Sequence, residues 1–400
     1  KVNKLKYICH EYGKTSLMHP ENNKYIGLEN VISYSDVINT TDTEYTESIQ
    51  KVCKKGALLF SKLRPYLAKV IIAPFDGYCT NEFLEFDYFY GDMRFLKHCL
   101  RNPKFINEVD NTTYGVKMPR TNTGIVLNQY IPLPPLPEQQ RIADFLDTKC
   151  DILDRTIDAV SRQIEDLEKY KKALITKTVT KGICKKGEPE RAMKDSGVEW
   201  MGEDIPFDWD INRLQFCIDE ISERNYAGKE THILSLMKDK GVIPYEEKGR
   251  VGNISKTDLT QYKLAYPNTL ITNSMNIIIG SSGISQYKGC VSPAYYVFKA
   301  KPNNDIRYFN YIFAVRAFQN ECRRFANGIL EIRLRISSTN LLKIKVPVPS
   351  PEEQQQIADY LDEKCKNINN RVQKRRQQLE WLKEYKKSLI FDYVTGKKRV

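Results

Sequence analysis

Residues 131–147 read IPLPPLPEQQRIADFLD, and residues 346–362 repeat them as VPVPSPEEQQQIADYLD. The two copies align without a gap at an offset of 215 residues, and their likeness continues to residues 180 and 395. The segments between the copies resemble each other far less. A chain that repeats one half of its plan and varies the other half is typical of a duplicated domain.

Each copy begins with a proline-rich strap, which cannot be helical, and continues as a long predicted helix. In the second copy, Ser350 is the expected N-cap and Pro351 the first helical residue. Apolar residues then recur at spacings of three and four over about four heptads, which is the pattern of a coiled-coil seam. The seam residues are Leu146, Cys150, Leu153, Ile157, Val160, Ile164, Leu167 and Leu174 in the first helix, and Leu361, Cys365, Ile368, Val372, Leu379, Leu382 and Leu389 in the second.

The two long helices are each other's simplest partner, because neither can bury its seam alone. Roughly 40 residues at about 1.5 Å each give a rod of ~60 Å. A whole variable segment separates the helices, so we predict an antiparallel pair with pseudo-two-fold symmetry and one variable domain at each end. The predicted fold class is α+β: two duplicated mixed α/β domains joined by two long helices that form an antiparallel coiled coil.

The variable segments, residues 1–130 and 203–345, mix short strand patterns with turn signals. The strand pattern at 57–60 returns at 269–272, within the run 268–272, with an offset of 212, so the two segments share a plan despite their divergence. The predicted divisions are a first variable domain at 1–135, a first helix at 136–182, a linker with the second variable domain at 183–350, and a second helix at 351–400.

Composition favours a polyanionic partner. The chain has 62 Lys and Arg against 50 Asp and Glu, a net charge of +12. A basic surface of this size suits nucleic acid, with solvated lysine-rich helices as the alternative. The ten cysteines and four histidines show no zinc spacing, so no metal site is predicted. We find no signal peptide and no apolar run long enough to span a membrane, and scattered cysteines suit a reducing cytosol.

Motifs of DNA-modifying enzymes are incomplete in this chain. An amino-methyltransferase carries Asn, Asp or Ser followed by two prolines and an aromatic residue; the nearest runs are Asn102-Pro103-Lys104-Phe105 and Ser292-Pro293-Ala294-Tyr295, each without the second proline. No phosphate-binding GxxxxGK[ST] loop occurs. Glu246-Glu247-Lys248 lacks the upstream Pro-Asp of a nuclease site. The sequence therefore predicts a non-catalytic chain.

The doubled strap and helix, together with the run DSGVEW at 195–200, resembles the specificity subunit of type I restriction–modification systems. The resemblance covers nearly the whole chain. The chain departs from the pattern at Ser350-Pro351-Glu352, where the first copy has Pro135-Leu136-Pro137. The first variable domain also lacks a counterpart of the preface at residues 193–202, and we expect a comparable segment to precede Lys1.

The resemblance implies that each variable domain is a target recognition domain that reads one half of a bipartite, gapped site in double-stranded DNA. It implies that the helices set the spacing and dock two methyltransferase (modification) subunits, and through them two restriction/translocase subunits. S-adenosylmethionine, ATP and Mg²⁺ would then belong to the partner subunits, with no cofactor and no metal in this chain. The implied setting is the cytoplasm of a bacterium or archaeon, in a defence system without a membrane partner.

Candidate DNA-contacting residues lie in polar, turn-rich segments of both domains. Arg can read guanine with two hydrogen bonds, Asn can read adenine, and Lys most often holds phosphate. Cations in the first domain and amides in the second therefore predict different base preferences, with plain solvated loops as the alternative. The candidates are Lys62, Arg64, Tyr66, Tyr114, Lys117, Arg120 and Asn122 in the first domain, and Asn273, Ser274, Asn276, Ser281, Ser282, Asn327, Arg333, Arg335 and Ser337 in the second.

Polar residues at the start of each helix are candidates for docking a methyltransferase. We predict that Glu138 and Gln139 in the first copy, and Glu353 and Gln354 in the second, are exposed; ordinary first helical turns are the alternative. Two other functions remain open at this point. A protein-only scaffold with incidental basicity would show no salt-dependent DNA binding, and a self-sufficient DNA enzyme would methylate or cleave DNA without partners.

Overall fold

The structure is a computed structural model that describes residues 1–18, 24–39, 48–183, 187, 191–202, 204–237, 240–249, 258–275, 277–326 and 334–400. The described chain forms two compact units. The first combines Lys1–Ile164 with Lys374–Val400, and the second is Glu165–Gln373. Each unit therefore holds one variable domain and a stretch of both long helices.

The first unit is built on short strands that form two four-stranded sheets and one two-stranded ribbon. The strands are β1 (Val2–Lys4), β2 (Cys9–Glu11), β3 (Thr15–Leu17), β4 (Tyr25–Ile26), β5 (Ile49–Cys53), β6 (Leu58–Ser61), β7 (Val70–Ile72), β8 (Gly77–Cys79), β9 (Phe83–Phe89) and β10 (Tyr130–Pro132). The sheet ordered β2-β9-β6-β7 is antiparallel, whereas the sheet ordered β3-β5-β8-β4 contains a parallel pair, β4 with β8. β1 pairs with β10, so the start of the chain lies beside the strap.

The central strand β6 is buried on both faces, and its alternating side chains serve two cores. Leu58 and Phe60 join one core with the domain's helices, whereas Leu59 joins a second core on the opposite face. This is the two-residue alternation of a pleated strand. The apolar run predicted as a strand is therefore a fully buried strand of an antiparallel sheet.

Short helices cover the first core and begin at polar N-cap residues. They are α1 (Met93–Arg101), α2 (Pro103–Asp110) and α3 (Thr123–Leu127). The caps are Asp92, Asn102 and Asn122, each of which accepts a backbone N–H with its side-chain oxygen. The proline near miss at residues 102–105 is thus a helix start, with Asn102 as the cap and Pro103 at the first helical position.

The second unit repeats this plan. Its strands are β11 (Met193–Asp195), β12 (Asp204–Pro206), β13 (Asp210–Arg213), β14 (Ile218–Glu220), β15 (Leu234–Met237), β16 (Gly241–Pro244), β17 (Lys263–Ala265), β18 (Leu270–Asn273), β19 (Ser282–Ile284), β20 (Gly289–Val291), β21 (Tyr295–Ala300) and β22 (Lys345–Val348). Its short helices are α5 (Ile306–Ala314), α6 (Arg316–Arg324) and α7 (Ser338–Leu342). The sheet β14-β21-β18-β19 corresponds to β2-β9-β6-β7, and the ribbon β13-β22 corresponds to β1-β10.

The two long helices pair in antiparallel fashion within each unit. The first long helix is α4 (Leu136–Lys181), and the second long helix is α8 (Pro351–Val394). In the first unit, Lys386 donates to Asp154 at 2.6 Å, and the Phe145 and Tyr393 rings lie 4.4 Å apart. As one helix runs from 145 to 154, the other runs back from 393 to 386.

In the second unit, Lys171 donates to the Asn369 side chain at 2.8 Å. Ile175 and Val179 share a core with Leu361 and Cys365. The predicted fold class, two duplicated mixed domains with an antiparallel helix pair, is confirmed.

The seam residues are buried or half-buried, as a helix–helix interface requires. Leu146 and Leu361 are fully buried, and Ile368, Val372 and Leu382 are buried. The half-buried members are Leu153, Ile157, Ile164, Leu167 and Leu379. The start of the second long helix also follows the prediction, because the Ser350 hydroxyl accepts the N–H of Glu353 at 3.2 Å.

Candidate nucleic-acid interface

The loop after β6 carries Lys62, Arg64 and Tyr66 and has an unusual backbone. Arg64 adopts the left-handed conformation, with φ 51° and ψ 62°. This conformation costs a non-glycine residue roughly 1–2 kcal/mol, so it persists only where neighbouring contacts hold it. A short 3-10 turn at Pro65–Leu67 follows, and Ala68 returns to the left-handed region with φ 45°.

The contacts that hold this loop come from residues 114–121, the other segment predicted to contact DNA. The Arg64 N–H donates to the Pro119 carbonyl at 2.7 Å, and the Thr121 N–H donates to the Lys62 carbonyl at 2.9 Å. The Arg64 guanidinium reaches the Lys117 carbonyl at 3.4 Å. The structure therefore brings the two predicted segments together as one surface, which we name the paired loops.

The paired loops expose large side chains beside their cations. Tyr66, Tyr114 and Met118 are about half exposed, and Val116 is fully exposed. Lys62 is half-buried, and burial lowers the pKa of its ammonium group. Exposed aromatic and apolar groups next to Arg and Lys suit contact with bases and phosphates.

The second domain repeats the backbone hydrogen bonds that hold the paired loops, which we name the frame of the paired loops. The Ser274 N–H donates to the Ala294 carbonyl at 3.1 Å, and the Ile336 N–H donates to the Ser274 carbonyl at 3.2 Å. In the first domain the Lys62 N–H donates to the Glu82 carbonyl at 2.9 Å, and its own carbonyl accepts the bond from Thr121 described above. Position 274 thus has the backbone partners of position 62, while Ser replaces Lys.

The remaining candidates of the second domain differ in accessibility. Arg335 and Ser337 are exposed, whereas Ser274 and Ser281 are buried at 2% and 8% exposure. The Ser282 hydroxyl donates to the side-chain oxygen of Asn310 at 3.2 Å. Asn276, Asn327 and Arg333 lie outside the described residues.

Three polar candidates support the backbone of their own segments. The side-chain oxygens of Asn122 and Ser337 cap α3 and α7 by accepting the N–H groups of Ile125 and Asn340. Asn273 closes a turn by accepting the N–H of Met275 at 2.9 Å. DNA contact by these residues stays a prediction, because their oxygens are committed to local structure.

Substitution of Arg64 can separate its contribution to DNA binding from its contribution to stability. We expect Arg64→Gly to leave the free energy of unfolding within about 1 kcal/mol of wild type, because glycine adopts φ 51° without strain. DNA affinity should fall by roughly tenfold if Arg64 contacts a base. If Arg64 contacts a phosphate, the slope of the logarithm of the binding constant against the logarithm of salt concentration should become shallower by about one. Fluorescence titration at two salt concentrations measures both.

Ala68→Gly is the matched control, since Ala68 has the same left-handed backbone and no charge. That variant should bind DNA like wild type. Equal losses for Arg64→Gly and Ala68→Gly would assign the effect to loop geometry instead of the guanidinium.

The predicted docking residues at the helix starts require a correction. Gln139 and Gln354 are not exposed: the two residues are 2% and 1% accessible. The Gln139 side-chain oxygen accepts the N–H of Asp92 at 3.1 Å, and the Gln354 oxygen accepts the N–H of Asp305 at 3.0 Å. Each amide nitrogen donates to a strap carbonyl, at 2.8 Å in the first copy and 3.0 Å in the second. These glutamines join each recognition domain to its helix.

Glu353 is also engaged within the chain, whereas Glu138 is half-buried. The Glu353 carboxylate accepts hydrogen bonds from Trp209 at 2.8 Å and from Arg191 at 2.5 Å. The prediction that Glu353 is exposed is therefore wrong, because its side chain is only 21% exposed, while docking at this position stays a prediction. The physical reason is that Arg191 and Trp209, which lie on either side of the preface in the sequence, contact the first turn of the second long helix.

An arginine completes the same junction in both copies. Arg94 pairs with Asp92 at 2.9 Å and with Asp144 of the first long helix at 2.5 Å. Arg307 pairs with its own N-cap aspartate at 2.6 Å and with Asp359 at 2.7 Å. We name this junction the domain latch: Asp92, Arg94, Gln139 and Asp144 in the first copy, and Asp305, Arg307, Gln354 and Asp359 in the second.

The latch residues outside the helices were missed by sequence reasoning. A signal existed, because Asp92-Met93-Arg94 and Asp305-Ile306-Arg307 align at an offset of 213, between the offsets of 212 and 215 on either side. The sequences on either side of these short runs have diverged, so the runs are hard to recognise. Their remaining signal is an aspartate at the N-cap position followed two residues later by an arginine.

The first unit adds a buried charged cluster next to its latch. Asp147 accepts hydrogen bonds from Lys97 and His98, each at 2.8 Å. Asp36 pairs with Lys97 at 2.8 Å and with Arg101 at 2.9 Å. The three basic side chains are at most 5% exposed. Burial by itself would raise the pKa of Asp147, but the hydrogen bonds from His98 and Lys97 lower it to about 2.

His98 is neutral within this cluster. Burial lowers its pKa to about 4, and the positive charges of Lys97 and Arg101 act in the same direction, against the hydrogen bond to Asp147. The His98 Nδ1 atom is buried and makes no hydrogen bond to a described protein atom. A proton there would have no acceptor, which agrees with the neutral form.

The neutral state of His98 predicts a loss of stability in mild acid. Its folded pKa of about 4 lies below the unfolded value of 6.5, so the unfolded chain binds the proton first. Stability is fully present above about pH 6.5 and falls toward pH 4, by on the order of 3 kcal/mol. Urea unfolding at pH 7, 5.5 and 4.5 measures this, and His98→Gln, which keeps a donor for Asp147, should flatten the slope. An unchanged slope in that variant would assign the acid sensitivity elsewhere.

The described residues hold no group of three or more His, Cys, Asp or Glu side chains suited to a metal ion. No helix in the described ranges combines the length and apolar character needed to cross a membrane. The nine described cysteines are free thiols.

The chain is similar to known proteins. The family model described as type I restriction modification DNA specificity domain matches residues 4–169 and again 213–380. The type I restriction enzyme MjaVIII specificity subunit of Methanocaldococcus jannaschii is 29% identical over 301 residues, which cover 72% of this chain and 66% of the relative. The putative MjaX specificity subunit of the same organism is 28% identical over 285 residues, 68% of this chain and 59% of the relative. The matched region is thus less than two thirds of the length of both relatives.

Solved structures share the fold. A chain from a structure on complex assembly and conformational transition of the type I R-M system superposes with a TM-score of 0.70 at 17% identity, covering 98% of this chain and 97% of that chain. The HsdS subunit from Thermoanaerobacter tengcongensis gives a TM-score of 0.50 at 18% identity, covering 99% and 96%. Because the family model matches both halves of the sequence, the chain belongs to the family of type I restriction–modification specificity subunits, with two DNA specificity domains.

Proposed function

We propose that this chain is the non-catalytic DNA-recognition subunit of a type I restriction–modification complex. Each recognition domain would read one half of a bipartite, gapped site in double-stranded DNA. The observation that supports this most strongly is the repeated frame of the paired loops. Equivalent backbone hydrogen bonds hold position 62 in the first domain and position 274 in the second. Lys stands at one position and Ser at the other, so two similar readers would present different chemistry to two half-sites.

The charge of the chain supports the same proposal. A net charge of +12 favours DNA through its phosphates, and this attraction would fall steeply with salt. In the first domain, Lys117 and Arg120 lie in the loop that holds Arg64. If the chain were a protein-only scaffold, these cations and the exposed tyrosines beside them would have no role.

We further propose that the two long helices set the gap between the half-sites. At about 1.5 Å per residue, each helix is about 65–70 Å long. That length exceeds the ~34–36 Å between half-sites one turn of B-DNA apart. A rigid helix pair would keep the spacing constant while the domains vary.

The helices also offer equivalent surfaces for two copies of one partner, the methyltransferase subunit. Tyr170 and Tyr385 occupy equivalent positions, and both side chains are about half exposed. Exposed aromatic residues are enriched at protein–protein interfaces. They replace the glutamines at the helix starts as the better docking candidates. S-adenosylmethionine would arrive with these methyltransferases, and ATP and Mg²⁺ with restriction subunits bound through them.

The experiment that tests this function is co-expression of the chain with a methyltransferase subunit from the same genome, followed by sequencing of methylated adenines. We expect a two-part motif with a fixed gap and no methylation by either chain alone. Co-purification of the partner without a gapped motif would support the protein-only scaffold. Methylation by the isolated chain would support the self-sufficient enzyme.

A further inference from the structure

Glu82 and Arg120 form an ion pair at the edge of the paired loops. The Arg120 Nη2 donates to the Glu82 Oε1. The arginine side chain is 46% exposed, whereas the glutamate is only 23% exposed and its second oxygen, Oε2, is buried without a described partner. The carboxylate therefore lies at the base of the pair, with the guanidinium toward solvent.

The backbone of Arg120 is held on two sides. Its N–H donates to the Tyr114 carbonyl at 3.0 Å, and its carbonyl accepts the Tyr114 N–H at 3.1 Å. It also forms a bridge with Leu63 of the loop after β6. Glu82 is equally fixed, because its carbonyl accepts the Lys62 N–H. Both ends of the ion pair thus start from constrained backbone positions.

This pair is poorly placed to stabilise the fold. Ion pairs that water reaches contribute little to stability, since hydration and salt offset their attraction. A carboxylate can instead restrict the rotamers of an arginine, so that less freedom is lost when the guanidinium meets a ligand. The ion pair occupies the Nη2 group at one edge of the guanidinium. Because Nη2 carries two hydrogens, its second N–H and the neighbouring N–H of the opposite edge form a two-donor edge for a ligand.

The second domain shows what the position is like without the carboxylate. Ala294 replaces Glu82 as the acceptor for the loop N–H, and Arg335 is the equivalent of Arg120. The second domain therefore keeps the arginine and lacks the glutamate. A general phosphate contact needs only the cation, so the glutamate is a chemical difference of the first domain that phosphate contact does not require.

We propose that Glu82 is a positioning residue that holds Arg120 for two-point recognition of a guanine edge in the half-site read by the first domain. The ligand class is the O6 and N7 acceptor pair of guanine, which a constrained guanidinium fork matches. This inference rests on the proposed function, because it assigns one base contact within a half-site. Arg335, without a carboxylate at the equivalent position, is assigned no such role.

The test uses the complete chain with its methyltransferase partner and compares Glu82→Ala, Arg120→Ala and Arg335→Ala by methylation sequencing and by binding to matched oligonucleotides. We expect Glu82→Ala and Arg120→Ala to relax the same single guanine position of one half-site, with discrimination falling on the order of tenfold. Glu82→Asp should restore part of it. Arg335→Ala should leave that position unchanged, and melting temperatures should match wild type.

Other outcomes separate the two levels of the proposal. If Glu82→Ala and Arg120→Ala weaken binding to all sequences by the same factor, the pair serves phosphate contact or loop structure, and the inference is overturned. The same holds if the two variants relax different positions, or a position that is not guanine. If wild type itself yields no gapped motif, the proposed function fails first.

Discussion

Replacing Asp147 by alanine is expected to lower the free energy of unfolding of the first unit by about 3 kcal/mol. Asp147 is the shared acceptor of Lys97 and His98, whose side chains are at most 5% exposed. Removing it leaves a buried ammonium with one partner, Asp36, and a buried imidazole N–H with none among the described contacts. A buried charge that loses its partner keeps the whole cost of its desolvation, whereas the gain from pairing is lost.

Asp362→Ala is the matched control, because Asp362 occupies the equivalent position of the second long helix. Its partners are Arg307, which is one-third exposed, and the hydroxyl of Tyr311. Water can replace much of what these groups lose, so we expect a loss of about 1 kcal/mol. Urea unfolding followed by circular dichroism gives both values, and hydrogen exchange in residues 93–110 locates the first. Equal losses for the two variants would contradict the assignment of the buried cluster.

Replacing residues 1–130 by a second copy of residues 210–345 is expected to change one half of the target and leave the other intact. The inserted segment carries Asp305 and Arg307, which can meet Gln139 and Asp144 in the first latch. Tyr311, which donates to Asp362 in its own domain, would face Asp147. The complex should therefore assemble and read the second half-sequence twice, once on each strand, within an unchanged gap.

Methylation sequencing of cells that express this chain with its methyltransferase partner measures the result. The unaltered chain provides the reference motif, and a variant with the latch arginine of the insert changed to alanine shows whether docking limits the outcome. A motif that keeps both original halves, or that changes in both, would refute independent reading by the two domains. Loss of methylation in an assembled complex would do the same.

Sequence reasoning predicted the helices and their pairing because those features have strong local causes. Prolines exclude a helix from the straps, and the seam period predicts a partner. The same reasoning failed for Gln139 and Gln354. A polar residue in a first helical turn is normally solvated, and only the tertiary structure shows the backbone N–H that each glutamine meets. Contacts between residues 47 or 49 positions apart produce no periodic pattern in the sequence.

The candidate site was predictable in its segments and less so in its side chains. The segments around 62 and 120 were both selected for their cations and turns, and the structure joins them. The left-handed backbone of Arg64 was not predictable, because such positions usually hold glycine or asparagine. Nor could the sequence pair Arg120 with Glu82, since that contact depends on how β9 enters the sheet.

The domain latch has a consequence for how such chains diversify. Each recognition segment carries its own Asp and Arg for attachment, and each helix carries the matching Gln and Asp. A segment that carries the same Asp and Arg, and that enters by recombination within the straps, would therefore be able to attach at once. A lineage could acquire a new target preference in a single inheritable step, while the surfaces that its other subunits recognise stay under separate selection.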